Sequence, residues 1–239
     1  MAFIGCPHVQ RSFSLTTRRG VLSPSPIVYD DYGACYAYAF AEVVGAVFGY
    51  EESRRNDTWP PTHTPLSARQ LIDDMPRRYL DGDSENVSGI YTPRLELVVD
   101  YIKRYGIARE EDYAAALHNN NVVELDQIPR LRPRVLEDII YYGDVHRHLR
   151  RYPLVASIDT HGDMLYHLQR HEIHSWRGEG NHMVILTGYG TIADQKVYEF
   201  KNSWGLGFAS NGYGLVAREA VVDIWKPSNV ELIQPAEQE

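Results

Sequence analysis

A chain of 239 residues with 44% hydrophobic and 23% charged residues can bury a substantial core, in one domain or two closely joined halves. Its net charge of −8 gives no electrostatic basis for binding nucleic acid. Two cysteines, Cys6 and Cys35, make no disulfide framework once one of them serves chemistry, which points to a reducing compartment.

Met1-Ala2-Phe3-Ile4-Gly5-Cys6-Pro7-His8 lacks the basic start and apolar core of a signal peptide, so a cytoplasmic location is the expectation. Residues 1–19 read as irregular. Val21–Val28 contains Pro24 and Pro26, which favour an extended segment delivering the chain to Gly33. Cys35 then opens an apolar run to Tyr50 that only Glu42 interrupts with charge. Such a run reads as a buried helix, too short to span a bilayer, with Cys35 in its first turn, where unpaired N–H groups favour a thiolate. Ser67-Ala68-Arg69-Gln70 has the form of a capping box and starts a short helix to Met75. Arg77–Tyr91 reads as loop. Thr92-Pro93 reads as a helix start, Leu95, Val98, Val99 and Ile102 give that helix one apolar face, and Gly106 ends it. The stretch from Ile107 to Tyr142 reads as an irregular crossing, and Asp144 as the cap of a helix to Arg151. Strands are expected at Leu154–Ile158, Met183–Tyr189, Val197–Asn202 and Tyr213–Ala217. Helices precede strands, which makes an α+β fold.

Three separated motifs carry the chemistry. Gly33-Ala34-Cys35-Tyr36-Ala37 holds the cysteine. About 150 residues later, Asn181-His182-Met183 places a histidine ahead of a strand, and Lys201-Asn202-Ser203-Trp204-Gly205 follows. Cysteine, histidine and asparagine in that order and at that spacing resemble the catalytic domain of papain-like (papain/cathepsin-type) cysteine peptidases. The resemblance runs from Gly20 to Arg218 and implies a two-lobed fold: a helical lobe over about 29–125, a β-sheet or barrel lobe over about 126–225, and the site in the cleft. Residues 20–239 would form this one domain. By resemblance Cys35 is the nucleophile, His182 the general acid/base, Asn202 the residue that orients it, and Trp204 the cover of that hydrogen bond. Gly33, Gly89, Ile158 and Asn181 fall at substrate-binding positions. The implied substrate is a protein or peptide, handled by a monomer that needs no cofactor.

Several features depart from the family. Tyr29 stands six residues before Cys35, where a glutamine amide donates to the oxyanion; losing such a donor costs roughly 10²–10³ in rate. Tyr32 replaces a cysteine whose disulfide partner would fall near Asp74, Ser88 replaces the first of a glycine pair, and Phe208 a second tryptophan. Only 34 residues precede Cys35, fewer than the family's inhibitory propeptide, so either a low activity needs no such restraint or the chain is not a full precursor. These departures imply weakened activity, with a catalytically inactive homologue that binds a peptide or protein in its cleft as the alternative. His161, His167, His171 and His174 invite a metal reading, but their spacing matches no zinc motif, and a surface cluster is expected. Met164, Leu165 and Leu168 read as packing.

Overall fold

Gly33 leads into the first helix with φ 100°, a backbone conformation that favours glycine. In the computed structural model, which describes residues 9–14, 33–73, 80–85, 91–120 and 123–235, helix α1 (Cys35–Arg55) is buried on nearly every side as far as Gly49. It continues a full turn beyond the apolar run, where Glu52 pairs with Arg55 and Asn56 N–H caps the Glu52 carbonyl. On one face, Gly45 and Gly49 let the backbone of Thr62–Thr64 come so close that a Cβ would strike the Thr64 and Thr62 carbonyl oxygens.

The short helix α2 (Ala68–Asp73) forms half of the expected capping box. Ser67 Oγ accepts from Gln70 N–H, but the Gln70 amide turns away to bond Gly106 O and Ala108 N–H. Met75 lies outside the described residues. Within the expected 77–91 loop, strand β2 (Leu80–Glu85) pairs with β3 (Tyr91–Pro93). Thr92 and Pro93 therefore belong to a strand, and α3 (Leu95–Tyr105) starts later with Arg94 at its N-cap. Its buried face is Val98, Val99, Tyr101 and Ile102, and Gly106 caps its end at φ 75°.

The described residues of the 107–142 stretch carry regular elements, contrary to the irregular crossing expected. It contains β4 (Ile107–Ala108), α4 (Glu110–Asn120) and the nine-residue strand β5 (Arg130–Asp138). Helix α5 (Tyr142–Leu149) is capped at Tyr141, while Asp144 sits inside it and pairs with Arg147. The expected strands appear as β6 (Leu154–Ile158), β8 (His182–Ile192), β9 (Gln195–Lys201) and β10 (Tyr213–Ala217). Beyond β2–β5, three further strands were not anticipated: β1 (Val9–Ser14) within the nominally irregular start, β7 (Ile173–His174), and the long β11 (Val221–Ile233).

One sheet runs β4-β5-β11-β6-β8-β9-β10-β7, and β1 pairs with the second half of β8. All its pairings are antiparallel except β10 with β7. Helix α1 packs against β5, β6, β8 and β11, and Cys35 at its N-terminus meets Met183 at the start of β8. The α+β division stands, with a sheet that reaches Ile233 rather than residue 225. Among the described residues no helix is long and apolar enough to cross a membrane.

Candidate active site

Cys35 is the first residue of α1, in a first turn that contains no acid. Its Sγ accepts a hydrogen bond from Met183 N–H at 3.4 Å. Met183 directly follows His182, so the thiol reaches the backbone beside the histidine. His182 opens β8 opposite Ile158, and Gly180 turns the chain into that strand at φ 77°. There a Cβ would come within 2.9 Å of Ser157 Oγ. Asn202 follows the last residue of β9. Because β9 runs antiparallel to β8, with Ile185 opposite Lys201, the start of one and the end of the other share an end of the sheet.

His182 Nε2 and Asn202 Oδ1 are 2.9 Å apart, and Ser203 N–H donates to the same oxygen at 2.8 Å. A backbone N–H can only donate, which fixes Oδ1 as the acceptor end of the amide. Neutral His182 therefore carries its proton on Nε2 and keeps Nδ1 as a base. Burial pushes the imidazole down to about 4, against the opposing pull of Asn202, and nearby His174 lowers it further. The charged form is disfavoured because burial removes the water that would solvate the imidazolium, and no carboxylate acts on it in its place.

An aromatic stack covers this pair. Trp204 lies 4.6 Å from the His182 ring, and Tyr166 stacks on Trp204 at 4.0 Å, nearly parallel. Phe208 meets Trp204 edge-on, so it supports the tryptophan from the position where the sequence shows a substitution. Asn202 N–H bonds Gly212 O and Gly212 N–H bonds Phe208 O, closing the loop that carries Trp204.

Beside the site, Lys201 Nζ lies 3.0 Å from Glu42 Oε1, both side chains at most a tenth exposed. His63 Nε2 sits 3.2 Å from the Glu42 carbonyl, and burial holds its imidazole below the ordinary value. A cavity of about 390 Å³ has Cys35, Glu42, His63, Met183, Lys201 and Asn202 in its lining.

The structure thus brings Cys35, His182, Asn202 and Trp204 together. Asn181 is exposed at the rim, its Oδ1 accepting from Thr160 N–H. Ile158 is fully buried in the core opposite His182 and is not part of the lining of the cavity beside Cys35. Tyr29 and Gly89 lie outside the described residues. His167 and His171 are exposed, but His174 is buried, so the histidines are not one surface cluster; Leu165 and Leu168 are buried while Met164 is exposed. Among the described residues no group of three metal-ligating side chains gathers. Three contributors went unread in the sequence: Met183, which bonds through its backbone; Tyr166; and the Lys201–Glu42 pair. Glu42 did carry a signal, since a lone charge in a buried run requires a partner.

The chain is similar to several known proteins. The chain is 24% identical over 204 residues to a cysteine protease of Blomia tropicalis, covering 78% of this chain and 55% of that protein. It is 29% identical over 191 residues to the viral cathepsin of Lymantria dispar multicapsid nuclear polyhedrosis virus, covering 76% and 47%. The chain therefore spans about half the length of these relatives. Among solved structures it superposes on procathepsin L2 from Tenebrio molitor with a TM-score of 0.67 at 16% identity, covering 94% and 69% of the two chains. It superposes on bromelain from Ananas comosus, solved with the E64 inhibitor, with a TM-score of 0.60 at 17% identity, covering 85% and 94%. These likenesses establish a two-lobed α+β fold. A family model described as papain family cysteine protease matches residues 29–226, and the chain belongs to the papain family of cysteine proteases.

Proposed function

We propose that the chain hydrolyses peptide bonds in proteins or peptides through an acyl-enzyme on Cys35, without a cofactor. The observation that carries this reading is the convergence of Cys35 Sγ, bonded by Met183 N–H, with a His182 ring whose Nε2–H is held by Asn202. In this scheme Sγ attacks the scissile carbonyl carbon while the thiol proton passes to His182 Nδ1. The tetrahedral intermediate collapses, the C–N bond breaks, and the imidazolium gives its proton to the departing amine. Water then attacks the thioester, with His182 again taking the proton, and Sγ leaves. The imidazolium keeps its Nε2–H on Asn202 throughout, so the ring need not turn between steps.

Activity is expected to be weak for two reasons. Burial disfavours the imidazolium that forms as Cys35 ionises. Tyr29 also stands at the family's oxyanion-donor position, where a phenol is a longer donor than an amide. The same buried, neutral His182 favours a second reading, a cleft that binds peptide without cutting it. Hydrolysis of an unstructured peptide under reducing conditions separates the two. We expect slow turnover that Cys35→Ala abolishes and that Tyr29→Gln raises in kcat, since the donor acts on charge present only in the transition state. Peptide binding without any Cys35-dependent hydrolysis would leave the binding reading in its place.

A further inference from the structure

We propose that the buried Lys201–Glu42 ion pair is a positioning device that sets the Asn202–His182 pair relative to Cys35. Lys201 is the last residue of β9, bonded covalently to Asn202, and Glu42 lies on α1 seven residues after Cys35. Seven residues are two helical turns, so Glu42 and Cys35 share a face of α1. The 3.0 Å contact between Nζ and Oε1 therefore ties the helix bearing the thiol, two turns along, to the strand end that directly precedes the asparagine.

The surroundings explain why a charge pair stands here. Cys35 and Glu42 of α1 and Lys201 and Asn202 at the end of β9 all line the cavity of about 390 Å³, together with His63, Leu66 and Glu110. The ion pair therefore lies in the lining of this cavity beside Cys35 and Asn202. The other ionisable groups near it are engaged. His63 faces Glu42 with its Nε2 3.8 Å from Oε2. Glu199, two residues earlier on β9, accepts from Thr187 Oγ1 at 2.8 Å, and Tyr213 on β10, held protonated by burial, feels both acids. Replacing a buried pair by apolar residues is often neutral for stability, so what the charges add is direction and spacing.

The role in catalysis rests on the peptidase reading, whereas the geometry can be read without it. The variants are Lys201→Met, the charge-balanced double Lys201→Met/Glu42→Met, and Lys201→Arg as the conservative rescue. The readouts are the exchange-protected His182 Nε2–H resonance in ¹H–¹⁵N spectra, the iodoacetamide rate at Cys35, and kcat and KM, with thermal melting to confirm folding. The folded double variant is expected to exchange the Nε2–H at least about tenfold faster and to lose kcat by a similar factor at unchanged KM, with Lys201→Arg close to wild type. A double variant that keeps the protected proton and the wild-type alkylation rate overturns the proposal, as does a wild type with no protected proton. A wild type that shows the proton and its loss in the double variant, but hydrolyses nothing, leaves the positioning role standing and removes the peptidase reading.

Discussion

His182 is held by one partner and opposed by its surroundings. Asn202 Oδ1 takes its Nε2–H and Ser203 N–H together, so Asn202→Ala leaves two donors without their acceptor inside the protein. Such a loss costs about 1–3 kcal/mol, which denaturant unfolding will read as a lower midpoint. Asn202→Asp keeps the acceptor and adds a negative charge beside the ring. That charge stabilises the imidazolium, so an NMR titration of the variant should find His182 well above the value of about 4 set by burial. An unchanged titration would mean that the asparagine does not face the ring. The identities of these residues were readable because cysteine, histidine and asparagine types are demanded by the chemistry. Met183 was not readable, because any residue supplies the same N–H.

At the level of elements, α1 organises the molecule by being approachable. Gly45 and Gly49 admit the 62–64 backbone against the helix, so Gly45→Ala drives a methyl into the Thr64 carbonyl. That overpacking should cost about 1–3 kcal/mol in stability, visible as a lowered melting temperature, although alanine is the better helix former. A variant as stable as wild type would show that the loop yields freely. The apolar run and its leading glycine made α1 legible, and β6 and β10 were legible from their β-branched and aromatic residues. The strands β5 and β11 were hidden by Pro133 and Pro227. Each proline sits where its strand has one neighbour only. The two-residue β4 reaches no further along β5 than Leu131, and β6 no further along β11 than Trp225. A missing N–H is harmless on such an open edge. Opposite Pro133, β11 instead gives its Asn229 and Val230 N–H groups to the Glu51 carboxylate of α1, a long-range contact that no local pattern announces. Thr92-Pro93 misled for a related reason: the pair suits a helix start, but pairing with β2 keeps it extended and delays α3 to Leu95.

For the molecule as a whole, five histidines, His63, His146, His148, His174 and His182, are held below the ordinary imidazole value, each chiefly by burial. Between pH 6.5 and about 4 the unfolded chain binds a proton at His182 that the folded protein refuses. Stability therefore rises with pH through that window; the contribution is complete above 6.5 and gone below 4. For His182 alone the shift corresponds to about 3 kcal/mol. Acidification from pH 7 to pH 4.5 should lower the melting temperature steadily, and His182→Gln should flatten the slope. A melting temperature that holds or rises on acidification would contradict the buried, neutral histidine.

Competitive thiol labelling reads out whether Cys35 is a nucleophile made reactive by His182. Under reducing conditions, limiting iodoacetamide or an epoxide probe is added and the adducts on Cys35 and Cys6 are followed by peptide mass spectrometry. The account predicts that Cys35 is modified faster than Cys6 in the folded wild type, and that His182→Ala removes the difference while leaving the protein folded. Equal labelling of the two cysteines, or a fast Cys35 that does not depend on His182, would contradict it.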